Sequence, residues 1–163
     1  MGTGIGERVE RKEDTRLLTG QAKFVGDLKF PRLLEAAYVR SPIAHGRIRS
    51  VTKPKGSESS VFTSTDLSDV LPIKPESSLP GYKASEQYPL AKEKVRFVGE
   101  CIAICVAPTR AEAEDLAEKV VFDIEPLPPL INSADAKLEG APLLHEDWND
   151  NLFLTTDFEG DIE

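Results

Sequence analysis

The stretch from residue 94 to residue 125 constrains the fold more than any other part of the sequence. Residues 101–107 form an apolar run of the length of one buried strand, and Pro108 follows directly. Thr109 and Glu112 then have the spacing of a helix capping box. The predicted helix places its apolar residues along one stripe, at Ala113, Leu116, Ala117 and Val120.

The residues that follow this helix predict a returning strand. Apolar and polar side chains alternate over 120–125, and prolines at 126, 128 and 129 end the alternation. Strand, helix and strand together predict a β-α-β unit at about 94–125, with a second helix near 133–137. The predicted fold class is α+β, or mixed α/β.

Earlier segments predict three further strands. Residues 34–39 are largely apolar in both alternating sets, which is typical of a strand buried on both faces. Residues 46–51 alternate with one wetter face, and Val61 with Phe62 begins a third strand. We expect a short helical turn at 66–70.

Two other stretches have little periodicity. The proline-rich segment 72–89 predicts a long loop, and loops of this length often bind ligands or partners. Residues 152–158 alternate weakly and predict a last strand. Residues 2–16 are polar and glycine-rich, so we expect an arm there.

Length, charge and hydropathy exclude several classes of protein. A chain of 163 residues is long enough for a single core, and its formal charge of −8 without a basic stripe makes nucleic acid an unlikely partner. No apolar run approaches the roughly 20 residues that a membrane helix requires. The sequence therefore predicts a soluble, cytoplasmic protein without membrane insertion.

The two cysteines fit a reduced protein core. Cys101 and Cys105 lie roughly 13 Å apart if they share a strand, which is too far for a disulfide. Two sulfurs without a nearby histidine also make a poor metal or iron–sulfur site. We expect both thiols to be buried, with no metal bound.

Basic residues between the first two of these earlier predicted strands, and within the second, form one candidate site. Arg40, His45, Arg47 and Arg49 could bind a carboxylate or another anion, but no phosphate-binding loop or nucleophile pattern accompanies them. We favour contact with a partner subunit for these four residues. Trp148 is a further candidate interface residue, because large amphipathic rings are common at interfaces.

Acidic residues form two weaker candidates. His145, Glu146 and Asp147 could hold a divalent cation, but adjacent side chains diverge, so we favour a solvated turn. Glu100 lacks a pocket or partner group for acid–base chemistry, and Gly99 predicts a bend. No catalytic, cofactor-binding or metal-binding residue is therefore assigned.

Several ordered motifs resemble one known family. They are Gly-Glu-Arg-Val-Glu-Arg-Lys-Glu-Asp-Thr-Arg-Leu-Leu-Thr-Gly at 6–20, Phe-Val-Gly-Asp-Leu at 24–28, Val-Arg-Ser-Pro-Ile-Ala-His-Gly-Arg-Ile at 39–48, Val-Arg-Phe-Val-Gly-Glu at 95–100, Glu-Pro-Leu-Pro-Pro-Leu-Ile at 125–131 and Leu-Leu-His-Glu at 143–146. In this order they resemble the a/b hammerhead domain that opens the large, molybdenum-binding subunit of the xanthine dehydrogenase, aldehyde oxidase and carbon monoxide dehydrogenase family.

The resemblance implies a role and a set of partners. The complete enzymes hydroxylate a carbon centre and carry a molybdopterin cofactor, iron–sulfur clusters and FAD, and their active-site residues belong to domains after the hammerhead. The resemblance thus implies an interface domain, inactive alone, that packs against the molybdenum-binding remainder of the large subunit and the iron–sulfur subunit. We divide the chain into an arm at 1–20, the hammerhead domain at 21–140 and an exit segment at 141–163.

Two alternatives stay open at this point. One is a free-standing domain that binds small anions through the arginine and histidine cluster. The other is a gene fragment without a partner, which would expose apolar surface and self-associate.

Overall fold

The structure is a computed structural model that describes residues 4, 6 and 10–157. The chain divides into two compact units, Met1–Leu33 and Leu34–Glu163. The first unit contains helix α1, Asp14–Leu18, and a 3₁₀ turn at Val25–Asp27, so the predicted arm includes a short helix. The predicted boundaries of the hammerhead domain, between residues 20 and 21 and between residues 140 and 141, remain predictions.

The described part of the second unit contains six strands and one α-helix. Helix α2 spans Arg110–Glu118, and 3₁₀ turns lie at Glu58–Ser60 and Asp135–Lys137. The strands are β1 Glu35–Arg40, β2 Gly46–Thr52, β3 Val61–Thr63, β4 Lys94–Val95, β5 Cys101–Ala107 and β6 Val121–Pro126. This content confirms the predicted α+β class.

The strands form two antiparallel sheets. Sheet A has the order β1-β5-β3, and sheet B has the order β4-β2-β6. The strand, helix and strand predicted at 94–125 are present, but β5 and β6 lie in different sheets and do not pair. Both edges of β5 are occupied by β1 and β3, so β6 pairs with β2 instead.

Helix α2 begins as its capping box predicts. The Thr109 hydroxyl accepts a hydrogen bond from the Glu112 N–H, and the Glu112 carboxylate accepts one from the Thr109 N–H at 3.1 Å. The predicted apolar stripe faces sheet A: Ala113 and Val120 are buried, and Leu116 and Ala117 pack on the core. The helix predicted near 133–137 is only a 3₁₀ turn.

Two apolar clusters hold the sheets. The first lies under α2 and contains Val39, Val61, Ala103, Cys105 and Val120. The second joins Ile102 of sheet A to Ala91 and Val95, with partly buried sheet B residues around it. Because Val51 and Phe122 pack against both clusters, the two sheets share one apolar interior.

The prediction that β1 is buried on both faces is wrong for the described residues. Ala37 and Val39 are buried, but Ala36, Tyr38 and Arg40 are exposed. Helix α2 covers only one face of sheet A, and apolar composition alone does not reveal which face a neighbouring element covers.

Three loop predictions have mixed outcomes. Residues 66–70 form hydrogen-bonded turns without a helix, and the Asp66 carboxylate accepts hydrogen bonds from the Thr63 N–H and hydroxyl. Residues 72–89 form the predicted long loop, with one isolated bridge between Ile73 and Gln87. Residues 152–157 form no strand, and Phe158 lies outside the described residues.

Across the described residues, no helix is both long and apolar enough to cross a bilayer.

Candidate functional site

A cleft of about 1030 Å³ lies between the loop that precedes β5 and the segment at 144–148. Its lining is mostly polar and charged and includes Arg47, Lys92 and Arg96 together with the aromatic rings of Phe97 and Trp148. The two walls are joined by ion pairs and hydrogen bonds. These contacts fix the segment that the sequence predicts as an exit from the domain.

Lys94 of β4 is the main anchor between the two walls. Its side chain is 5% exposed, and its ammonium donates hydrogen bonds to the Leu143 carbonyl at 2.9 Å and to Glu146 Oε1 at 2.7 Å. Burial alone would raise the pKa of the Glu146 carboxyl, but the Lys94 hydrogen bond contributes to a net lowering. The predicted solvated turn at 145–147 is thus a turn held by a buried cation.

Arg96 reinforces the same contact. Its Nε donates to the Leu144 carbonyl at 2.7 Å, and its guanidinium lies 3.8 Å from Glu146. The Arg96 backbone N–H donates to the Glu100 carboxylate at 2.5 Å. Glu100 therefore holds the turn in which Gly99 has φ of +89°, which confirms the predicted bend.

Trp148 packs inside the domain. Its ring stacks on His145 with centroids 4.4 Å apart, and Lys83 Nζ lies 6.0 Å from the indole centroid. Burial lowers the pKa of His145, and the positive charges of Arg96 and Lys94 lower it further. The proposed interface role of Trp148 remains untested.

A second, smaller cavity of about 270 Å³ adjoins the Trp148 ring. Tyr82 and Phe153 form one wall with an edge-to-face contact at 6.4 Å. Lys83 closes the site, because its N–H donates to the Phe153 carbonyl at 2.8 Å and its ammonium to Asp150 at 2.6 Å. The long loop and the 144–153 segment are therefore tied at several points.

Arg40 stands at the end of β1. Its guanidinium donates to the Gly99 carbonyl at 2.8 Å and to the Cys101 sulfur at 3.3 Å, and it lies 5.2 Å from the centroid of the Tyr38 ring. Cys105 is buried as predicted, but Cys101 is only partly buried. Arg40 therefore joins an exposed sheet face to the Gly99 turn.

His45 lies in the interior. The side chain is 3% exposed, and Nδ1 lies 2.6 Å from the Pro128 carbonyl, so Nδ1 carries the proton and donates. Its Nε2 is buried without a hydrogen-bond partner in the described part of the chain. The next residue, Gly46, has no room for a side chain, since a Cβ there would lie 2.6 Å from Ile124 and from Ile43.

Arg47 and Arg49 extend from sheet B. Arg49 pairs with Glu125 across the strands β2 and β6. Arg47 lines the large cleft, and its side chain makes no hydrogen bond or ion pair with the residues that the structure describes. The four predicted basic residues thus have different environments, and of the four only Arg47 lines the cleft.

The described residues offer no cluster of side chains that could ligate a metal ion directly. Three or more His, Cys, Asp or Glu side chains do not converge anywhere in the described residues in a way that could hold a metal ion. The sequence has two cysteines, whereas an iron–sulfur cluster is ordinarily held by four ligands. No chemistry of a bound metal is therefore derived for this domain.

Sequence reasoning did not single out Lys94, Arg96 or Lys83. Lys94 sits at the end of a polar stretch, where a lysine is normally solvated. Its burial depends on the segment at 143–146, which lies far away in sequence. The motifs at 95–100 and 143–146, both quoted for the family resemblance, were the available signal that these two segments belong together.

The family described as aldehyde oxidase and xanthine dehydrogenase, a/b hammerhead domain, matches residues 19–128. That match covers more than half of the chain. The chain belongs to this hammerhead family. The hammerhead fold therefore accounts for the two sheets and the capped helix α2.

Curated relatives of this hammerhead chain include the large subunits of a hydroxylase and of a dehydrogenase. The large subunit of nicotine 6-hydroxylase from Paenarthrobacter nicotinovorans is 35% identical over 153 residues, which cover 91% of this chain and 19% of that protein. The large chain of carbon monoxide dehydrogenase from Afipia carboxidovorans is 37% identical over 150 residues, which cover 91% and 18%. The hammerhead chain therefore spans less than a fifth of the length of these relatives.

Solved structures agree with this placement. The hammerhead chain is similar to a Cu,Mo carbon monoxide dehydrogenase with a TM-score of 0.75 and 35% identity, over 92% of this chain and 19% of that one. It is also similar to quinoline 2-oxidoreductase from Pseudomonas putida 86, with a TM-score of 0.73 and 36% identity, over 81% and 17%.

Proposed function

We propose that this hammerhead domain is an interface module of a molybdenum hydroxylase large subunit and is not catalytic alone. Its partners in this proposal are the molybdenum-binding remainder of the large subunit and the iron–sulfur subunit. The assembled enzyme would be cytoplasmic and would carry the molybdopterin, the iron–sulfur clusters and FAD. Arg40, Arg47, Arg49 and Trp148 remain the proposed contact residues, and His45, which is 3% exposed, is proposed to support them from inside the domain.

The observation that carries this proposal is the exposure of several large apolar side chains to solvent. Most polar groups of the domain, in contrast, form hydrogen bonds or ion pairs within it. Tyr38, Phe97 and Val98 are 47%, 54% and 63% exposed. Exposed apolar surface is unfavourable in water and is common where another protein surface docks. By contrast, the buried groups of His45 and Lys94 serve the domain's own packing.

The test is recovery of the tagged chain from its native cells, with molybdenum and iron measured in the recovered material. We expect both metals in the recovered material, and we expect mass spectrometry to find a molybdenum-subunit sequence in the same polypeptide as the tagged chain. The isolated chain is then assayed with a dye acceptor and candidate aldehyde, purine and heterocyclic substrates, and we expect no turnover. Recovery of a metal-free chain, or turnover by the isolated chain, would contradict the proposal.

A second candidate, small-anion binding, is favoured by Arg47 alone. Its guanidinium faces a large cleft and has no partner in the described residues. A carboxylate or phosphate that bound there would raise the melting temperature of the folded domain. If acetate or phosphate gives a shift that Arg47→Gln abolishes and Arg32→Gln leaves unchanged, anion binding is supported.

A further inference from the structure

One face of sheet A is apolar and partly open to solvent. The strand register places Tyr38 beside Ile104 and Ile104 beside Phe62, which forms a row across all three strands. We call the surface formed by Tyr38, Ile104 and Phe62 the Tyr38 face. The opposite face carries Val39, Cys105 and other buried residues under α2.

The Tyr38 face is covered at only one end by the described residues. Ile102, two residues before Ile104 on β5, lies at the register shift between β1 and β5 and is fully buried in the cluster that contains Ala91 and Val95. Tyr38 is 47% exposed, and Ile104 and Phe62 are partly exposed. The three residues of the Tyr38 face are therefore partly open to solvent, and β5 leads from them into the buried cluster.

The sequence of β1 fits a strand that is covered on both sides. Its two alternating sets of side chains are both largely apolar, which is typical of strands buried on both faces. Strand β2 differs, because Arg47 and Arg49 occupy its outer face. A sheet face that is apolar across three strands, in contrast to a strand with arginines on its outer face, indicates a surface that another element covers.

Arg40 extends the Tyr38 face. Its guanidinium lies 5.2 Å from the Tyr38 ring centroid and donates to the Gly99 carbonyl. The same turn carries Phe97 and Val98, which are 54% and 63% exposed. A cation on the rim of an apolar patch with aromatic rings is a common arrangement at protein interfaces.

From these contacts we infer that the Tyr38 face is the docking surface for the molybdenum-binding remainder of the large-subunit polypeptide itself. This inference rests on the proposed function and names the surface that serves it. The iron–sulfur subunit and a second copy of this chain are the competing occupants.

The exposed apolar area of the Tyr38 face and of the adjoining turn distinguishes between these occupants. The exposed parts of Tyr38, Phe62, Ile104, Phe97 and Val98 amount to a few hundred Å², since a whole aromatic side chain buries about 150–250 Å². A stable complex of separate proteins needs about 800 Å² on each partner. A domain of the same polypeptide needs less, because covalent linkage supplies a high effective concentration. In the relatives this domain matches less than a fifth of one continuous large chain.

Hydroxyl-radical footprinting tests the occupant. The isolated chain and the molybdenum-containing complex recovered from native cells are labelled in parallel, and Tyr38 and Phe62 are compared with Ile131, which lies outside the face. We expect the labelling rate of Tyr38 and Phe62 to fall about fivefold or more in the complex, because an interface core excludes water. The isolated chain should give the same Tyr38 rate at all concentrations.

Three results would overturn the inference alone, and a fourth would overturn the proposed function as well. Equal labelling of Tyr38 in the molybdenum-containing complex would show that the face stays open. A Tyr38 rate that falls with concentration in the isolated chain would assign the face to a second copy. Protection that disappears when only the iron–sulfur subunit is stripped from the complex would assign it to that subunit. Failure to recover any molybdenum-containing complex would overturn the proposed function and this inference together.

A variant pair supplies a second readout. Tyr38→Asp places a charge in the Tyr38 face, and Val121→Asp places the same charge on an exposed position of β6. We expect Tyr38→Asp to reduce the recovered molybdenum at least tenfold, while Val121→Asp retains the wild-type amount. Melting curves of both isolated variants identify any loss that is due to unfolding, and footprinting of the wild type remains decisive in that case.

Discussion

Lys94 Nζ lies 2.7 Å from Glu146 Oε1, across 52 residues of sequence, and the lysine is buried whereas the carboxylate is half exposed. The pair joins strand β4 to the turn at 144–148. Because the buried partner is the cation, the two groups depend on the contact unequally. Removal of the carboxylate leaves the buried Lys94 charge with only the Leu143 carbonyl as a partner, whereas removal of the lysine leaves a solvated carboxylate.

We therefore expect Glu146→Gln to reduce the free energy of unfolding by about 1–3 kcal/mol, the usual cost of a buried charged group that loses its partner. Urea denaturation at pH 7 measures the change. Lys74→Met is the matched control, because Lys74 and Glu86 are 3.6 Å apart and both exposed, and such pairs contribute about 0–1 kcal/mol. An equal loss in both variants would show that Lys94 is not a special anchor.

Gly46 should tolerate no larger residue. A Cβ at this position would lie 2.6 Å from Ile43 and Ile124 side chains and 2.9 Å from the Glu125 carbonyl. Because the carbonyl belongs to the paired strand, it cannot move without breaking sheet B. We expect Gly46→Ala to cost about 1–3 kcal/mol, as overpacking does in well-filled interiors. Thermal unfolding measures it, with Gly26→Ala as a control that meets no atom within 4 Å.

Asp66 should contribute to the free energy of unfolding, and this contribution should be lost in acid. The hydrogen bond from Lys53, and those from the Thr63 N–H and hydroxyl, lower the pKa of Asp66 from 3.8 to about 2. A depressed folded-state pKa means that the stabilisation is complete above about pH 4 and is lost as the pH falls toward 2. We expect the wild type to lose more stability than Asp66→Asn over this interval in urea titrations.

The control for this experiment is Asp69→Asn. The Asp69 carboxylate has a single 3.4 Å contact with the Ser68 hydroxyl. We expect its stability curve to keep the wild-type slope between pH 4 and pH 2. If Asp66→Asn keeps that slope as well, the Lys53 and Thr63 contacts do not stabilise the folded state.

The single tryptophan should report the charge of His145. Trp148 stacks on His145, and a protonated imidazole quenches indole fluorescence on contact. Burial, Arg96 and Lys94 lower the pKa of His145 below 6.5. We therefore expect Trp148 emission to fall with a midpoint below pH 6.5, and His145→Gln to abolish the transition. A midpoint above 6.5 would contradict the burial of this ring.

Local patterns predicted the elements of this fold well. The capping box of Thr109 and Glu112 and the apolar stripe of α2 depend on spacing within a few residues, so the sequence alone indicates them. The partner of β6 was missed, because periodicity gives the faces of a strand but not its neighbour. The pairing was decided by the occupied edges of β5, which depend on residues 35–63.

The candidate site was harder to predict. Arg40, His45 and Arg49 are close in sequence, but they lie on two strands and a turn and bond to Gly99, Pro128 and Glu125. The anchors Lys94 and Arg96 contact a segment about 50 residues away, and a single polar residue carries no sign of such a contact. Long-range polar contacts therefore required the structure.

The different burial of Cys101 and Cys105 gives this domain two thiols with separate chemical access. Both belong to β5, the central strand of sheet A, but Cys105 is fully enclosed and its burial raises the pKa of its thiol, whereas Cys101 is partly open beside Arg40. An alkylating reagent can reach Cys101 in the native protein and Cys105 only after the strand leaves its neighbours. One adduct per molecule thus indicates reaction at the surface of the folded domain, and two adducts indicate that the domain has opened.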